Sequence, residues 1–259
     1  VTPLVTGQWV PGSNAPTQAA INTYFAQYGA PAGAVSRAPG PGFGFNADGS
    51  LFTVGPLSNG QIYNLHPVTD SQGRSLVDVT QGSVRNRSDY FRGTQNPLER
   101  WSSFVKGDWA LTNDIHFFGQ ALYTNYNSIV QSDATVTSAT QIPTVPLTNP
   151  FLANILAANP LEAALLASRV TTTDPKTGIT TGGPNAPIQI NKRFLGLSGY
   201  RTATNANNIY QFIGGLNGVL GETMTWDVYA SHGQTLNTYS STGAAKFSVV
   251  QQLLNDPFG

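Results

Sequence analysis

Two long alternating segments joined by a turn, Asn208 to Tyr239 (NIYQFIGGLNGVLGETMTWDVYASHGQTLNTY), limit the possible folds of this chain more than any other stretch. Tyr210, Phe212, Gly214, Leu216, Gly218 and Leu220 are apolar or small, and Gln211, Gly215 and Asn217 between them are polar or small. That is the period of two a strand imposes on its faces, blurred only by Ile213 and Val219. After the turn Gly221 to Met224 the return strand is cleaner, with Trp226, Val228 and Ala230 on one face and Asp227, Tyr229 and Ser231 on the other. About 13 residues per strand at roughly 3.4 Å each, tilted by about 40°, span about 33 Å, enough to cross an apolar band of about 25 Å. Strands of that length fit a membrane barrel better than the core of a soluble sandwich.

Composition points the same way. Charged residues make up 10% of the 259 residues, against about 25% in an ordinary soluble domain. A barrel wall needs few charges and many small polar residues, since one face meets lipid and the other a wet lumen. The 13 basic and 13 acidic residues cancel and form no basic run, which argues against a nucleic-acid partner. Without cysteine there is neither a disulfide framework nor a thiolate metal site. No run of about 18 apolar residues occurs, so any crossing of a membrane is by strands.

A second hairpin repeats the design. Trp101, Ser103, Val105, Gly107, Trp109 and Leu111 share one face, and Arg100, Ser102, Lys106 and Asp108 the other, which Phe104 interrupts. Thr112 to Asp114 is a turn, and Ile115 to Val130 returns with Ile115, Phe117, Ala121 and Tyr123 on one side. His116, Gln120 and Thr124 lie opposite, interrupted by Phe118 and Leu122. The expected organisation is a single barrel domain. It comprises a loop over 1–97, a hairpin over 98–130, a loop over 131–207, a hairpin over 208–240 and the start of another loop over 241–259.

The loops carry structure of their own. Pro16 to Tyr28 reads as a helix capped by Asn14, and Gly42 to Val54 as a small hairpin. Ile62 to Leu65 and Ser75 to Val79 read as short strands. Phe151 to Ala158 and Leu161 to Ser168 read as helices, the second with Leu161, Leu165 and Leu166 on one stripe. Ile188 to Tyr200 reads as a strand continuing the wall, and Gly243 to Leu254 as an amphipathic helix. Short turns at one end and long structured connections at the other are the asymmetry of outer-membrane barrels.

The segments NPLERWSSFVKGDWALTNDIHFFGQALYTNYNS, TNPFLANILAANPLEAALLASR, INKRF and NNIYQFIGGLNGVLGETMTWDVYASHGQT closely resemble the barrel region of TonB-dependent outer-membrane receptors. AAINTYFAQYG and GFGFNADGSLFT resemble the extracellular loops of that family. The resemblance implies an all-β, antiparallel, up-and-down transmembrane barrel of about twenty-two strands with short loop helices. It also implies a plug domain, the outer membrane of a Gram-negative bacterium, and energy-dependent uptake of a scarce small-molecule ligand of the siderophore, vitamin or carbohydrate class. The implied partners are outer-membrane lipid, the ligand, and an inner-membrane energy-coupling protein engaged through an amino-terminal region. No plug, coupling segment or terminal aromatic strand is found in these residues, so the expectation is an internal piece of a longer protein. A passive porin and a surface β-rich binding protein are the rival readings.

His66, His116 and His232 show no metal-ligand spacing, and no ordered nucleophile constellation is present, so the chain is read as a non-enzyme with no cofactor and no metal. Asp48-Gly49 reads as a turn rather than half a calcium loop. Trp101, Trp109, Tyr123 and Trp226, with Tyr126 and Tyr229, are candidates for an aromatic girdle at the membrane interface. Two clusters are candidates for ligand recognition: Arg85, Arg87, Asp89, Tyr90 and Arg92, and Lys192, Arg193, Tyr200 and Arg201. An arginine grips a carboxylate or phosphate in a planar fork. The competing role for the same residues is to brace loops.

Overall fold

A computed structural model of the chain describes residues 4–11, 14–37, 42–55, 57, 59–87, 95–137 and 140–256. In chain order the elements are β1 (Gln8–Trp9), α1 (Gln18–Ala26), β2 (Phe43–Phe45), β3 (Leu51–Thr53), β4 (Val77–Thr80), β5 (Ser83–Asn86), β6 (Leu98–Ala110), β7 (Ile115–Ser132) and β8 (Thr144–Val145). There follow α2 (Pro150–Ala158), α3 (Pro160–Ala167), β9 (Thr171–Thr173), β10 (Thr180–Gly182), β11 (Ile188–Asn191), α4 (Leu195–Ser198), β12 (Arg201–Leu220), β13 (Met224–Thr242) and α5 (Phe247–Asn255). With 44% of residues in strands and 16% in helices, the fold is predominantly antiparallel β with short helices. The chain divides into two compact units, a loop unit (1–90, 133–200 and 244–259) and a sheet unit (91–132 and 201–243).

The sheet unit is one antiparallel sheet of order β13-β12-β7-β6. Its register is continuous, from Leu98↔Ser128 to Ala110↔His116, from Arg201↔Ser132 to Gly218↔Ile115, and from Thr202↔Thr242 to Leu220↔Met224. Both turns therefore lie at one end of the sheet, and Ser132, Arg201 and Thr242 lie at the other. The outer edges of β6 and β13 pair with no other strand, so among the described residues the sheet is open. β12 begins at Arg201, seven residues ahead of the expected start at Asn208. The stretch RTATNAN is polar or small on both faces, so no alternation marks it as strand.

The loop unit is built from short strands around a closed core. Its main sheet has order β3-β2-β1-β11-β8, and β4-β5 and β9-β10 form separate hairpins. Trp9, Ile21, Tyr24, Phe25, Phe43, Leu51, Leu165 and Ile188 are fully buried in one cluster. The Trp9 and Phe25 rings both pack on Phe43, with centroids 5.7 and 5.5 Å away. Gly44 lies opposite Phe52 in the ladder, and a Cβ there would meet the Phe52 ring at 2.1 Å. The glycine is what lets that ring lie flat across β2.

Several local expectations are corrected. Thr17, not Asn14, caps α1, its hydroxyl accepting the Ala20 N–H at 3.3 Å, while Asn14 accepts the Gly183 N–H at 2.7 Å. Ile62 to Leu65 is not a strand, although Tyr63 exchanges hydrogen bonds with Thr53. Ile188 to Tyr200 is not one continuous strand. It splits into β11, paired with β1 and β8, and the short α4. At the break the Phe194 N–H donates to the Thr135 carbonyl and the Thr137 N–H to the Lys192 carbonyl, so Arg193 makes an isolated antiparallel bridge with Val136 instead of continuing the β1 and β8 ladders. The inward stripe of α3 is Glu162, Leu165 and Leu166, while Leu161 is exposed.

Candidate functional site

Directly paired residues on neighbouring strands point to the same side of a sheet, so the register decides which stripes meet. Trp109, Phe117, Leu216 and Val228 form one row across the four strands. Val105, Ala121, Phe212 and His232 form another, with Gly107, Gly119, Gly214 and Ala230 between them. All four apolar stripes thus lie on one face, from the Leu220–Met224 pair at the turn end to the row of Ser103, Tyr123, Tyr210 and Gln234. Beyond that row the same face is mostly Asn, Thr, Ser and Gln, with Trp101, Ile129 and Leu236 among them. Among the described residues the only Asp, Glu, Lys or Arg on this face is Glu99, at its far end; Arg100, Lys106, Asp108, Arg201 and Asp227 are all on the opposite face.

Among the described residues no other element of the sheet unit covers the apolar face. Trp109 is 73% exposed and Val228 67%, and Trp101, Val105, Phe212 and Leu220 are exposed with them. Contiguous bare apolar surface beyond a few hundred Å² is rare on a soluble monomer and marks an interaction surface. The opposite face is mixed rather than wet throughout, since Phe104 and Tyr229 are also exposed on it.

Trp101, Trp109, Tyr123 and Trp226 all belong to the charge-poor face, whereas Tyr126 and Tyr229 belong to the other. Trp101 contacts the Tyr123 ring at 5.3 Å, and the Tyr123 hydroxyl donates to Asn208 Oδ1 at 3.0 Å. In the neighbouring position Tyr210 donates to Gln234 Oε1. These aromatics sit where the apolar rows give way to polar ones. Trp109 and Trp226 lie toward the turn end.

The recognition candidates of the loop unit are dispersed. Arg85 is exposed on β5, opposite Asp78 in the ladder, and Arg87 follows the strand with its N–H bonded to the Leu76 carbonyl. Asp89, Tyr90 and Arg92 lie outside the described residues. Arg193 is 6% exposed, and its guanidinium reaches Asp133 Oδ2 at 3.3 Å. Tyr200 adjoins the same group: burial pushes its phenol up to about 12, with Arg74, Asp133, Asp70 and Arg193 as charged neighbours. Arg74 in turn binds Asp70 at 2.8 Å. Arg193, Tyr200, Asp133, Arg74 and Asp70 thus form one cluster of alternating charge. Its acidic members were invisible in the sequence because Asp133 is sixty positions from its partner. Arg201 opens β12, and its carbonyl accepts the Ser132 hydroxyl at 3.4 Å. Lys192 stands apart from the cluster, at a pocket.

Glu162 was also missed. It is 1% exposed on α3, Oε2 has no hydrogen-bond partner among the described residues, and burial pushes the carboxyl up to about 8, with the charge of Asp48 adding to the effect. Asp48 itself closes its turn by accepting the Ser50 N–H and hydroxyl at 2.9 and 2.7 Å, which hold its pKa low. Among the described residues no trio of His, Asp and Glu is placed to hold a metal ion, and no single helix is long and apolar enough to cross a membrane. No family model matches the chain, and no curated protein matches its sequence.

Proposed function

We propose that the sheet unit is a stretch of the wall of an outer-membrane β-barrel, and that the chain belongs to a receptor of the TonB-dependent kind. In this reading the loop unit contributes to capture of a scarce small molecule whose uptake is energised from the inner membrane. One observation carries the membrane assignment: the register gathers four apolar stripes onto a single bare face that has no Asp, Glu, Lys or Arg in its apolar rows. The ten residue steps from Tyr210 to Leu220 at about 3.4 Å, tilted by about 40°, rise about 26 Å, close to the roughly 25 Å apolar band of such barrels. Lipid satisfies the apolar face, and further strands pairing with β6 and β13 satisfy their edge donors and acceptors, which hydrocarbon cannot. The opposite face, with Arg100, Lys106, Asp108 and Asp227, lines the interior. The receptor assignment rests on the segment resemblance and on the folded loop unit.

The chain has no cysteine, so single cysteines report without background. Spin labels placed one at a time along 211–218 in lipid bilayers should alternate. Even positions should be relaxed by oxygen dissolved in the lipid, and odd ones by a water-soluble nickel chelate. Equal exposure of both faces to the chelate would dismiss the membrane wall and favour a surface β-rich binding protein. Ligand uptake by the full protein that survives collapse of the proton-motive force would favour a passive porin.

A further inference from the structure

The loop unit contains a pocket of about 470 Å³ whose walls come from β11, α2, α5 and the β2–β3 turn. That volume falls within the roughly 300–1,000 Å³ of small-molecule sites. Leu152, Ile155, Ile188, Ile190, Val250 and Leu253 are among its apolar lining residues. The walls are fixed from behind. Gln251 of α5 accepts the Thr144 N–H and donates to the Thr144 carbonyl, both at 2.8 Å, and the Asn149 amide donates to the Leu254 carbonyl at 3.0 Å. The turn is seated against α2 so closely that a Cβ on Gly49 would meet Ile155 at 2.5 Å.

The polar groups of this pocket are nearly all committed. Asn149 Oδ1 caps α2 through the Phe151 and Leu152 N–H groups. Asn46 bonds the Ser50 hydroxyl, the Asn64 carbonyl and the His66 N–H. Lys192 and Thr6 are the exceptions among the described residues. The Lys192 ammonium carries three donors, one of which goes to the Val5 carbonyl at 3.0 Å, and among the described residues no carboxylate pairs with it. The adjoining Thr6 hydroxyl is buried without a partner among the same residues. Desolvation pulls the Lys192 pKa below its ordinary value, as expected of a cation left without a counter-charge.

We infer that this pocket binds a small molecule with an apolar body and a single carboxylate, the carboxylate pairing with Lys192 and the body lying against α2, α5 and β11. One ammonium neutralises one negative charge. A dianionic phosphate would leave a second charge buried against isoleucine and leucine without a partner, which is unfavourable. A neutral apolar molecule would leave the cation as it is. The inference stands on the loop unit alone and does not require the sheet to meet lipid.

The test uses the full chain held in a non-ionic amphipol, which coats apolar surface whether or not that surface meets lipid in the cell. Calorimetric titration compares 2-naphthoate with 2-naphthylmethanol, which has the same body and no charge. Naphthoate is expected to bind at least about tenfold tighter than the alcohol. Lys192→Met should weaken naphthoate at least tenfold while leaving the alcohol within threefold, and Lys192→Arg should retain most of the affinity. Val250→Trp, which narrows the pocket, should weaken both. Equal affinity of the two probes for the unmodified chain, no detectable naphthoate binding, or full affinity in Lys192→Met would overturn the inference. The first two outcomes need no variant to fold. The spin-label alternation of the sheet is unaffected by any of them, so this inference and the membrane reading fail separately.

Discussion

The two units dispose of their apolar residues in opposite ways. In the loop unit strands of two to four residues carry Trp9, Phe43 and Phe52 into an interior where each is at most 2% exposed. In the sheet unit strands of 13 to 20 residues hold Trp109, Val228 and Leu220 in the open. The same residue types therefore stabilise the two units by different partners: protein in one, and a surrounding apolar phase in the proposed reading of the other. Short strands can be closed off by helices and turns of the same unit. A strand of twenty residues with neighbours only at its sides cannot.

Mutations separate the two regimes, and the largest effect belongs to the closed core. Phe43→Ala removes a ring packed between Trp9 and Phe25 and should cost about 3–5 kcal/mol in denaturant unfolding of the loop unit. A cost under about 1 kcal/mol would mean that this core does not support the unit.

Next comes the exposed face. Leu216→Arg should destabilise folding into bilayers by about 2–4 kcal/mol, while Gln120→Arg, on the opposite face of the same sheet, should be close to neutral. Equal costs at the two positions would erase the distinction between faces.

A smaller effect, confined to the loop unit, is set by pH. The Glu162 carboxyl is held near 8, above the ordinary 4.5, so the folded state binds a proton that the unfolded state releases. Stability should fall as pH rises from about 4.5 through about 8. Glu162→Gln should flatten that slope, by about 1–3 kcal/mol at the alkaline end. Thermal melts at pH 5 and pH 8.5 read the difference, and an unchanged slope in the variant would assign the pH dependence elsewhere.

The smallest effect should be Tyr123→Ala. Its cross-strand contacts with Trp101 and Asn208 lie on an open surface and are worth about 0.2–1 kcal/mol. A loss as large as that of Phe43→Ala, measured in detergent, would mean that the sheet face packs against protein after all.

Alternation made the central parts of β6, β7, β12 and β13 legible, because each carries an apolar or small stripe at every second residue, even where Phe104, Phe118, Leu122, Ile213 and Tyr229 interrupt the other face. Proline and asparagine at 149–150, and proline at 160, likewise marked where α2 and α3 begin. Where neither face differs, as in Arg201 to Asn207, the strand left no trace. The recognition candidates fared differently. Proximity in sequence grouped Lys192, Arg193, Tyr200 and Arg201, yet Arg193 and Tyr200 join Asp133, Arg74 and Asp70, while Lys192 faces a separate pocket.

Local pattern thus determined the four long strands, their two turns and α1, α2, α3 and α5, because side-chain alternation and capping act over a few residues. Tertiary structure alone decided that Trp109, Phe117, Leu216 and Val228 form one row, that Glu162 rather than Leu161 enters the core, and that Lys192 has no carboxylate partner among the described residues. A strand shifted by one residue keeps its own alternation but presents the other face. A buried charge is paired or stranded by residues tens of positions away. Cross-strand pairing and long-range burial select among these arrangements.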